Sequence, residues 1–436
     1  MKILILGSGG REHAFCWKIS QSSLCSKLFI APGNAGTAAF GQNIEIDIND
    51  FLAVKAICIS NQIDMVVVGP EEPLVKGIYD FFKNDYDLKD IIITGPSKSG
   101  AQLEGSKAFA KSFMEKYYIP TARYKEFDAS NFNEGLQYIQ NHPLPIVLKA
   151  DGLAAGKGVI ICQNYVEALS EFELMIQQSK FGDAGKKVVV EEFLDGIELS
   201  VFVLTDGKNY VLLPEAKDYK KICEGDKGLN TGGMGAISPV PFATDHFMRK
   251  VTEKIIEPTI EGLQKEEIDY KGFIFFGLIK VDEEPMVIEY NCRMGDPETE
   301  VVLIRLENDL VELLVAMDQE KLDEQEIKIE KNNAVTIVAV SGGYPEEYKK
   351  GLPVNLLYLE NPEARKHIDN GEGAIVFHAG TKILGDQIVT NGGRVFAVSA
   401  MAEGLGDAIE LSKTILEQIY FDGIYFRGDI GYEFVD

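Results

Sequence analysis

The chain has 436 residues, 45% of them hydrophobic and 25% charged, the composition of an ordinary globular protein of about two to four domains. Its net charge of −25 argues against a nucleic-acid groove, which needs a basic face. Phosphate substrates stay open, because local lysines, arginines and backbone N–H groups outweigh a distant acidic surface. Six scattered cysteines without a CxxC pair, and five histidines without HExxH spacing, speak against a disulfide scaffold or a zinc site. No run approaches about 18 apolar residues, and the opening MKILILGSGG lacks a signal-peptide core, so a soluble, cytoplasmic protein is expected.

Residues 1–104 alternate strands and helices. Lys2–Leu6 is apolar and runs into Gly7-Ser8-Gly9-Gly10, and a helix follows from Arg11 to about Ser20. Lys27–Ala31, Met65–Val68 and Ile91–Thr94 are further apolar runs that end in glycine and proline turns. This predicts a parallel sheet with ligands at the C-terminal ends of its strands. A dinucleotide site is not expected, because the GxGxxG pattern from Gly7 needs glycine at position 12 and meets Glu12. The turn before a helix still offers N–H groups to an anion, and a substrate phosphate is the better reading.

The spacing predicts a helix from Leu103 to Tyr117 with Glu104, Lys107 and Lys111 along one face, a pattern that also fits a solvated, salt-bridged surface. Then comes KADGLAAGKGVII (149–161), where Gly152, Gly156, Lys157 and Gly158 form a hairpin tip between two strands. It differs from the P-loop, which needs four residues between its glycines and a hydroxyl after the lysine. A glycine-rich hairpin able to fold over phosphates is expected instead. Val188–Phe193 ends in the acids Glu191 and Glu192, and Glu198 opens the next strand. Such acids suit adenine and ribose recognition, and they suit a plain hairpin equally.

Pro214 to Pro239 reads as a long segment poor in regular structure, with Asn230-Thr231-Gly232-Gly233-Met234-Gly235 at its centre. Uncharged and unrepetitive, it reads as a substrate-binding loop. An amphipathic helix over 246–265 precedes the strands Phe273–Val281 and Met286–Tyr290. Glu289 and Asn291 lie two residues apart, so a strand turns both to one side, and their oxygens suit a hard cation such as Mg²⁺. Arg293, Gly295, Asp296, Pro297 and Glu298 put a cation, a turn and two acids just beyond. A helix from Ile304 to about Leu322, a charged linker (323–333) and a small strand-rich terminal domain complete the chain. In sum the pieces suit ATP as phosphoryl donor to a carboxylate without a Walker loop, chemistry that rests on positioning and charge neutralisation.

With GSGGREHA (7–14), APGNAGT (31–37), VVGPEEPLVKGI (67–78), AQLEGSKAFAK (101–111), KADGLAAGKG (149–158), EEFLDGIELS (191–200), NTGGMGA (230–236), EYNCRMGDPETE (289–300) and TNGGRVF (390–396) in order, the whole chain resembles the phosphoribosylamine–glycine ligases of the ATP-grasp superfamily. The resemblance implies an α/β and α+β multidomain chain. It would have an N-terminal Rossmann-like parallel-sheet domain (1–104), an ATP-grasp domain (105–330) with a mobile flap at about 123–189, and a small C-terminal β-rich domain (331–436). It implies ligation of glycine to 5-phosphoribosylamine through glycyl phosphate, in purine biosynthesis, by a monomer that binds neither nucleic acid nor membrane. Lys107 and Lys149 would contact ATP phosphates under the 152–158 hairpin (Gly152, Gly156, Lys157, Gly158). Glu191, Glu192, Phe193 and Leu194 would line adenine, and Glu198 would hold the ribose. Glu289 and Asn291 would bind Mg²⁺ or Mn²⁺, and Arg293 would face the transferring phosphoryl group. Asp296 and the loop Asn230, Thr231, Gly232, Gly233, Met234 and Gly235 would lie near glycine and the amine, and the phosphoribosyl group near Gly9, Gly10 and Asn34.

The chain departs from the family pattern at Ala216-Lys217-Asp218-Tyr219-Lys220, which lacks the usual histidine, and at Lys227-Gly228-Leu229-Asn230, which lacks the usual proline. Tyr290 and Met294 are milder changes, and Phe273–Lys280 carries no second metal carboxylate. Another ATP-grasp ligase or carboxylase is the nearest alternative, and a nucleotide-binding regulator without turnover is the alternative from another class.

Overall fold

The computed structural model of the chain describes residues 1–435 apart from 154–157, 179, 181, 183–185, 360 and 362–372. Its first hundred residues lay down β1 (Lys2–Gly7), α1 (Gly10–Ile19), β2 (Lys27–Pro32), β3 (Gln42–Asn43), α2 (Phe51–Asn61), β4 (Met65–Val68), α3 (Glu71–Lys76), α4 (Ile78–Asn84) and β5 (Ile92–Pro96). β1 pairs in parallel with β2 and β4, and β4 with β5. Side chains divide by parity: Ile3 and Ile5 enter one buried cluster, Leu4 and Leu6 the other. Burial on both faces is why these runs are apolar throughout rather than alternating.

Next come α5 (Gln102–Gly105) and α6 (Lys107–Lys116), where the spacing predicts one helix. The break falls at Ser106, whose hydroxyl caps α6 by accepting the Phe109 N–H at 3.1 Å. β6 (Tyr124–Asp128), α7 (Phe132–Asn141), β7 (Ile146–Ala150), β8 (Val159–Cys162), α8 (Tyr165–Ile176) and β9 (Lys187–Glu192) then build a four-stranded sheet of order β6-β9-β7-β8 with its two helices. Phe127, Ile146, Leu148, Phe172 and Val190 give this unit a core of its own.

The chain rejoins the first sheet through β10 (Ile197–Thr205) and β11 (Tyr210–Leu212). After the short strands β12 (Lys217–Asp218), β13 (Lys221–Cys223), β14 (Lys227–Asn230) and β15 (Gly235–Ser238) come α9 (Asp245–Val251), a π-turn at Thr252–Ile256 and α10 (Glu257–Lys265). β16 (Tyr270–Val281) and β17 (Glu284–Asn291) complete nine strands in the order β11-β10-β16-β5-β4-β1-β2-β3, with β17 paired to β16. β16 meets β5 at Tyr270–Pro96 and Lys271–Gly95. That single seam makes the N-terminal parallel sheet and the later antiparallel strands one surface.

The remainder is α11 (Glu298–Arg305), α12 (Leu310–Asp318), β18 (Asn333–Val340), β19 (Asn355–Leu356), β20 (Ala374–His378), β21 (Thr381–Leu384), β22 (Gln387–Thr390), β23 (Arg394–Ala402), α13 (Leu405–Leu416) and β24 (Ile419–Tyr420). One helix from Ile304 to Leu322 is predicted and two are found; Asp309 caps the second by accepting the Val311 and Glu312 N–H groups. The terminal sheet has the order β12-β15-β18-β23-β20. The 214–239 segment is therefore not poor in regular structure. It lends β12 and β15 to this sheet, and β15 pairs with β18 from Gly235–Ile337 to Ser238–Ala334. A partner so far along the chain leaves no local periodicity to read.

Candidate active site

Three sets of side chains meet around residues 289–300. On one side Glu191, at the end of β9, lies between two ammonium groups: its Oε2 is 3.1 Å from Lys111 Nζ and 3.0 Å from Lys149 Nζ. All three residues are buried. Two cations on one carboxylate leave surplus positive charge in a dry place, which suits an anionic ligand. Burial holds the Lys111 ammonium down at about 8. Glu191 Oε1 is buried without a hydrogen-bond partner.

Lys149 also donates to the Ile288 carbonyl at 3.1 Å, which sets its charge beside the strand that carries Glu289 and Asn291. Lys107 donates to the Gly152 carbonyl at 3.0 Å, and its pKa is lowered, chiefly by burial. Asp151 accepts from the Ala108 N–H at 2.8 Å and the Ser106 hydroxyl at 3.0 Å, pinning the KADG turn to the start of α6. Gly158 closes the hairpin by accepting the Ala150 N–H at 2.8 Å. Gly156 and Lys157 lie outside the described residues. Further along, Glu192 pairs with Arg123 at 2.7 Å, Phe193 is exposed and Leu194 half-buried. Glu198 pairs with Lys220, which holds its carboxyl below the usual range.

Glu289 and Asn291 pair with Gly277 and Phe275 across β16 and share one face of β17. Among the described residues no hydrogen bond or ion pair engages either side chain, and no group of three His, Cys, Asp or Glu is placed to hold a metal. One carboxylate and one amide oxygen are a hard-donor pair that fits a cation completed by phosphate and water oxygens. Just beyond, Arg293 Nη2 lies 2.8 Å from Glu104 Oε1 and its Nε 3.3 Å from Glu71 Oε2. The other oxygen of Glu104 accepts the Cys292 N–H at 2.8 Å. Arg293 is thus held in place by two carboxylates.

On the far side, a cleft of about 420 Å³ opens at the C-terminal ends of the parallel strands, lined by Gly7, Ser8, Gly9, Arg11, Asp47 and Asp296 among others. Glu12, which stands where a dinucleotide fold has glycine, folds back to accept the Gly9 N–H and to pair with Arg11 at 2.6 Å. Gly7 has φ +127°, and a Cβ there would lie 2.5 Å from Glu12 Cδ. Asp296 Oδ1 lies 3.0 Å from Arg394 Nη1. Under Gly10, Glu300 is fully buried with both oxygens unpartnered, and burial, then Asp296, push its carboxyl up.

The chain matches sequence models of the phosphoribosylglycinamide synthetase N domain over residues 1–104, of its ATP-grasp (A) domain over 105–299 and of its C domain over 334–433. The chain belongs to the phosphoribosylglycinamide synthetase family. It is 44% identical to a phosphoribosylamine–glycine ligase of Clostridium acetobutylicum, with 99% of each chain covered. To that of Escherichia coli K12 it is 42% identical, over 100% of this chain and 99% of the other. A crystal structure of the Thermotoga maritima phosphoribosylamine–glycine ligase superposes with TM-score 0.84 at 33% identity, covering 98% of this chain and all of that one. The biotin carboxylase domain of Hydrogenobacter thermophilus 2-oxoglutarate carboxylase, in complex with MgADP, shares the fold with TM-score 0.73 at 16% identity, over 98% and 91% of the two chains.

The chain is thus an ATP-dependent ligase of purine biosynthesis, with an ATP-grasp fold, an N-terminal sheet domain and a β-rich C domain. Among its described residues no helix is long and apolar enough to cross a membrane. Several residues singled out in the sequence are not on the cleft. The Asn34 amide donates to the Ser8 and His378 carbonyls at 2.9 and 2.8 Å and accepts from Gly36 and Thr37, so it ties turns together behind it. Gly10 is buried beside Glu300, Met234 is fully buried in the core, and Gly235 is a strand residue of the terminal sheet. Of the family loop's first half, Asn230 to Gly232 remain at the surface or partly buried, and Gly233 is buried. The spacing of Glu104 and Lys111 fits a solvated helix face as well as a site; only the packing of α5 and α6 against β17 and β9 puts them inside. Arg394 was signalled by TNGGRVF without a role.

Proposed function

We propose that this chain joins glycine to 5-phosphoribosylamine, using ATP and giving glycinamide ribonucleotide, ADP and phosphate. The observation that carries the reading is the placement of two sites on either side of residues 289–300: the Lys111–Glu191–Lys149 cluster and the 420 Å³ cleft beside Arg11 and Asp296. One suits the ATP phosphates, the other a sugar phosphate, and the reacting atoms belong between them.

In this reading Lys107, Lys111 and Lys149 balance the charge that spreads over the γ-phosphate as it transfers. The unit built on β6–β9 has its own core, so it is able to shift and bring Gly152 and Gly158, at the ends of its β7–β8 connection, over the phosphates. Residues 191–194 line adenine, Glu191 offering its free Oε1, and Glu198 takes the ribose after releasing Lys220. Glu289 and Asn291 would hold Mg²⁺ or Mn²⁺, which when bound neutralises phosphate charge. Arg293, fixed by Glu104 and Glu71, presents its guanidinium to the phosphoryl group. The glycine carboxylate attacks the γ-phosphorus and ADP leaves, so that glycyl phosphate forms. The sugar amine then attacks the acyl carbon and phosphate leaves; a carboxylate such as Asp296 accepts the amine proton. The Gly9–Arg11 turn binds the ribose phosphate after Glu12 releases the Gly9 N–H, and Asp296 with the 230–233 turn orients glycine and the amine. Both halves of the site come from one chain, which supports a monomer as the working unit. Its six unpaired cysteines suit the reducing cytoplasm.

The test is ADP release with MgATP and glycine, with and without freshly generated phosphoribosylamine, followed by mass detection of the product. ADP formed only with both substrates, together with glycinamide ribonucleotide, is expected. ADP formed with a different acid or amine, and not with these, would overturn the named substrates.

A further inference from the structure

The run TNGGRVF (390–396) lies in the terminal domain, away from the ATP lysines, yet it reaches into the reaction zone. Between β22 and β23 the chain turns through Asn391, Gly392 and Gly393. A Cβ on Gly393 would fall 2.2 Å from Tyr344 Cδ2, so glycine here lets the tyrosine ring pack against the turn. The Tyr344 hydroxyl then accepts the Gly232 N–H at 3.0 Å. The next residue, Arg394, donates from Nη1 to the Gly232 carbonyl at 2.7 Å and to the Asp296 carbonyl at 2.6 Å, and the same nitrogen is 3.0 Å from Asp296 Oδ1. A Cβ on Gly232 would meet the Arg394 Cζ at 3.2 Å, and one on Gly233 would meet Pro297 Cδ at 2.4 Å. Two glycines are therefore what allow the turn to close on the guanidinium and on Asp296–Pro297.

We propose that Arg394, assisted by Tyr344, is a positioning residue for the ligation: it locks the Gly232–Gly233 turn to Asp296, so the terminal domain sets the geometry of the acyl-acceptor half of the site. Resting on the function proposed above, the inference deepens that reading rather than replacing it. Both polar groups of Gly232 are held by the terminal domain, and the one guanidinium spans two chain segments that otherwise meet only by packing. Arginine suits this task because its planar fork fixes direction as well as charge, which a lysine ammonium does not. Attack of an amine on an acyl phosphate tolerates little misplacement. If the turn drifts from Asp296, water competes: it attacks the carbonyl carbon of glycyl phosphate, the C–O bond to phosphate breaks, and glycine and phosphate are released.

The experiment compares the full-length chain with Arg394→Ala, Arg394→Lys and Tyr344→Phe. ATP affinity, thermal midpoint, ADP formed and glycinamide ribonucleotide formed are measured for each. Expected for both arginine variants are ATP affinity within about twofold of wild type and a fall in kcat for ligation of about a hundredfold. ADP should exceed the ligated product, and millimolar guanidinium should partly restore coupling in Arg394→Ala. Tyr344→Phe should lose about fivefold, as for one hydrogen bond. Variants that ligate like wild type with one ADP per product overturn the inference. So does a loss of ATP binding parallel to the loss of ligation with no rescue, which marks a general structural role. A wild-type chain that makes no glycinamide ribonucleotide instead overturns the proposed function, and the inference with it.

Discussion

Two buried histidines at the junction of the N-terminal and terminal domains make the fold sensitive to acid in a way that can be calculated. His13 on α1 accepts the His378 N–H on Nδ1 at 2.7 Å, and the two rings lie 5.6 Å apart. Burial pushes His13 down to about 3 and His378 down to about 4, from an ordinary 6.5. The unfolded chain then binds protons that the folded chain refuses. Stability therefore falls as pH drops below about 6.5, and goes on falling until the folded values are reached. At pH 5, one and a half units below the unfolded value, each histidine costs about 2 kcal/mol relative to pH 7.5. His13→Asn keeps an acceptor for the His378 N–H without the titration, so it should recover about 2 kcal/mol of that loss. The assay is urea denaturation at pH 7.5 and 5 followed by tryptophan fluorescence. Trp17 is the chain's single tryptophan, and it packs edge-on to Phe377 at 6.2 Å in this same junction. Parallel losses in wild type and His13→Asn between the two pH values would refute the reasoning.

Other outcomes follow from the same geometry. Glu191→Gln leaves Lys111 and Lys149 buried without a counter-charge, so the ligand-free thermal midpoint should fall by an amount equivalent to about 3–5 kcal/mol. Added MgATP should recover more of it than it adds to wild type; an unchanged ligand-free midpoint would count against the cluster's importance. Gly233→Ala puts a side chain on a backbone at φ +119° and 2.4 Å from Pro297, and should cut ligation at least about tenfold while leaving ATP binding intact. Wild-type ligation by this variant would show that the turn accommodates a Cβ. Arg427, fully buried, pairs with Asp226 at 2.8 Å and Asp429 at 2.7 Å and donates to the Lys221 carbonyl, so it straps the β13–β14 hairpin to the tail. Arg427→Met removes both ion pairs and the carbonyl contact at a cost of about 1–2 kcal/mol, because the carboxylates it leaves reach solvent, and should speed limited proteolysis between Ile222 and Leu229. Cleavage at the wild-type rate would remove the strap from the account.

The elements and motifs legible in the chain before folding are those whose signals are local. Apolar runs ending in glycine turns announced β1, β2, β4 and β5, because a strand buried on both faces must be apolar throughout. That Glu289 and Asn291 share one face was legible because strand geometry turns residues two apart to one side. The motifs in their order gave the family. What the tertiary structure alone decided are contacts between segments far apart in the chain. The Lys111–Glu191–Lys149 cluster needs α6, β7 and β9 to converge, and from α6 alone Lys111 looks like a solvated residue. Residues 214–239 look irregular because the strand that orders them, β18, lies far along the chain. Asn34 and Met234 sit in motifs that suggest ligands, yet folding uses one as a hydrogen-bond hub and the other as core. Arg394 reaches Asp296 and Gly232 only because the terminal sheet borrows β12 and β15 and so brings the NGGR turn to the cleft. Local spacing fixes which way a side chain leaves its own strand or helix; what it meets there depends on chain closure over long loops, which no short window of sequence contains.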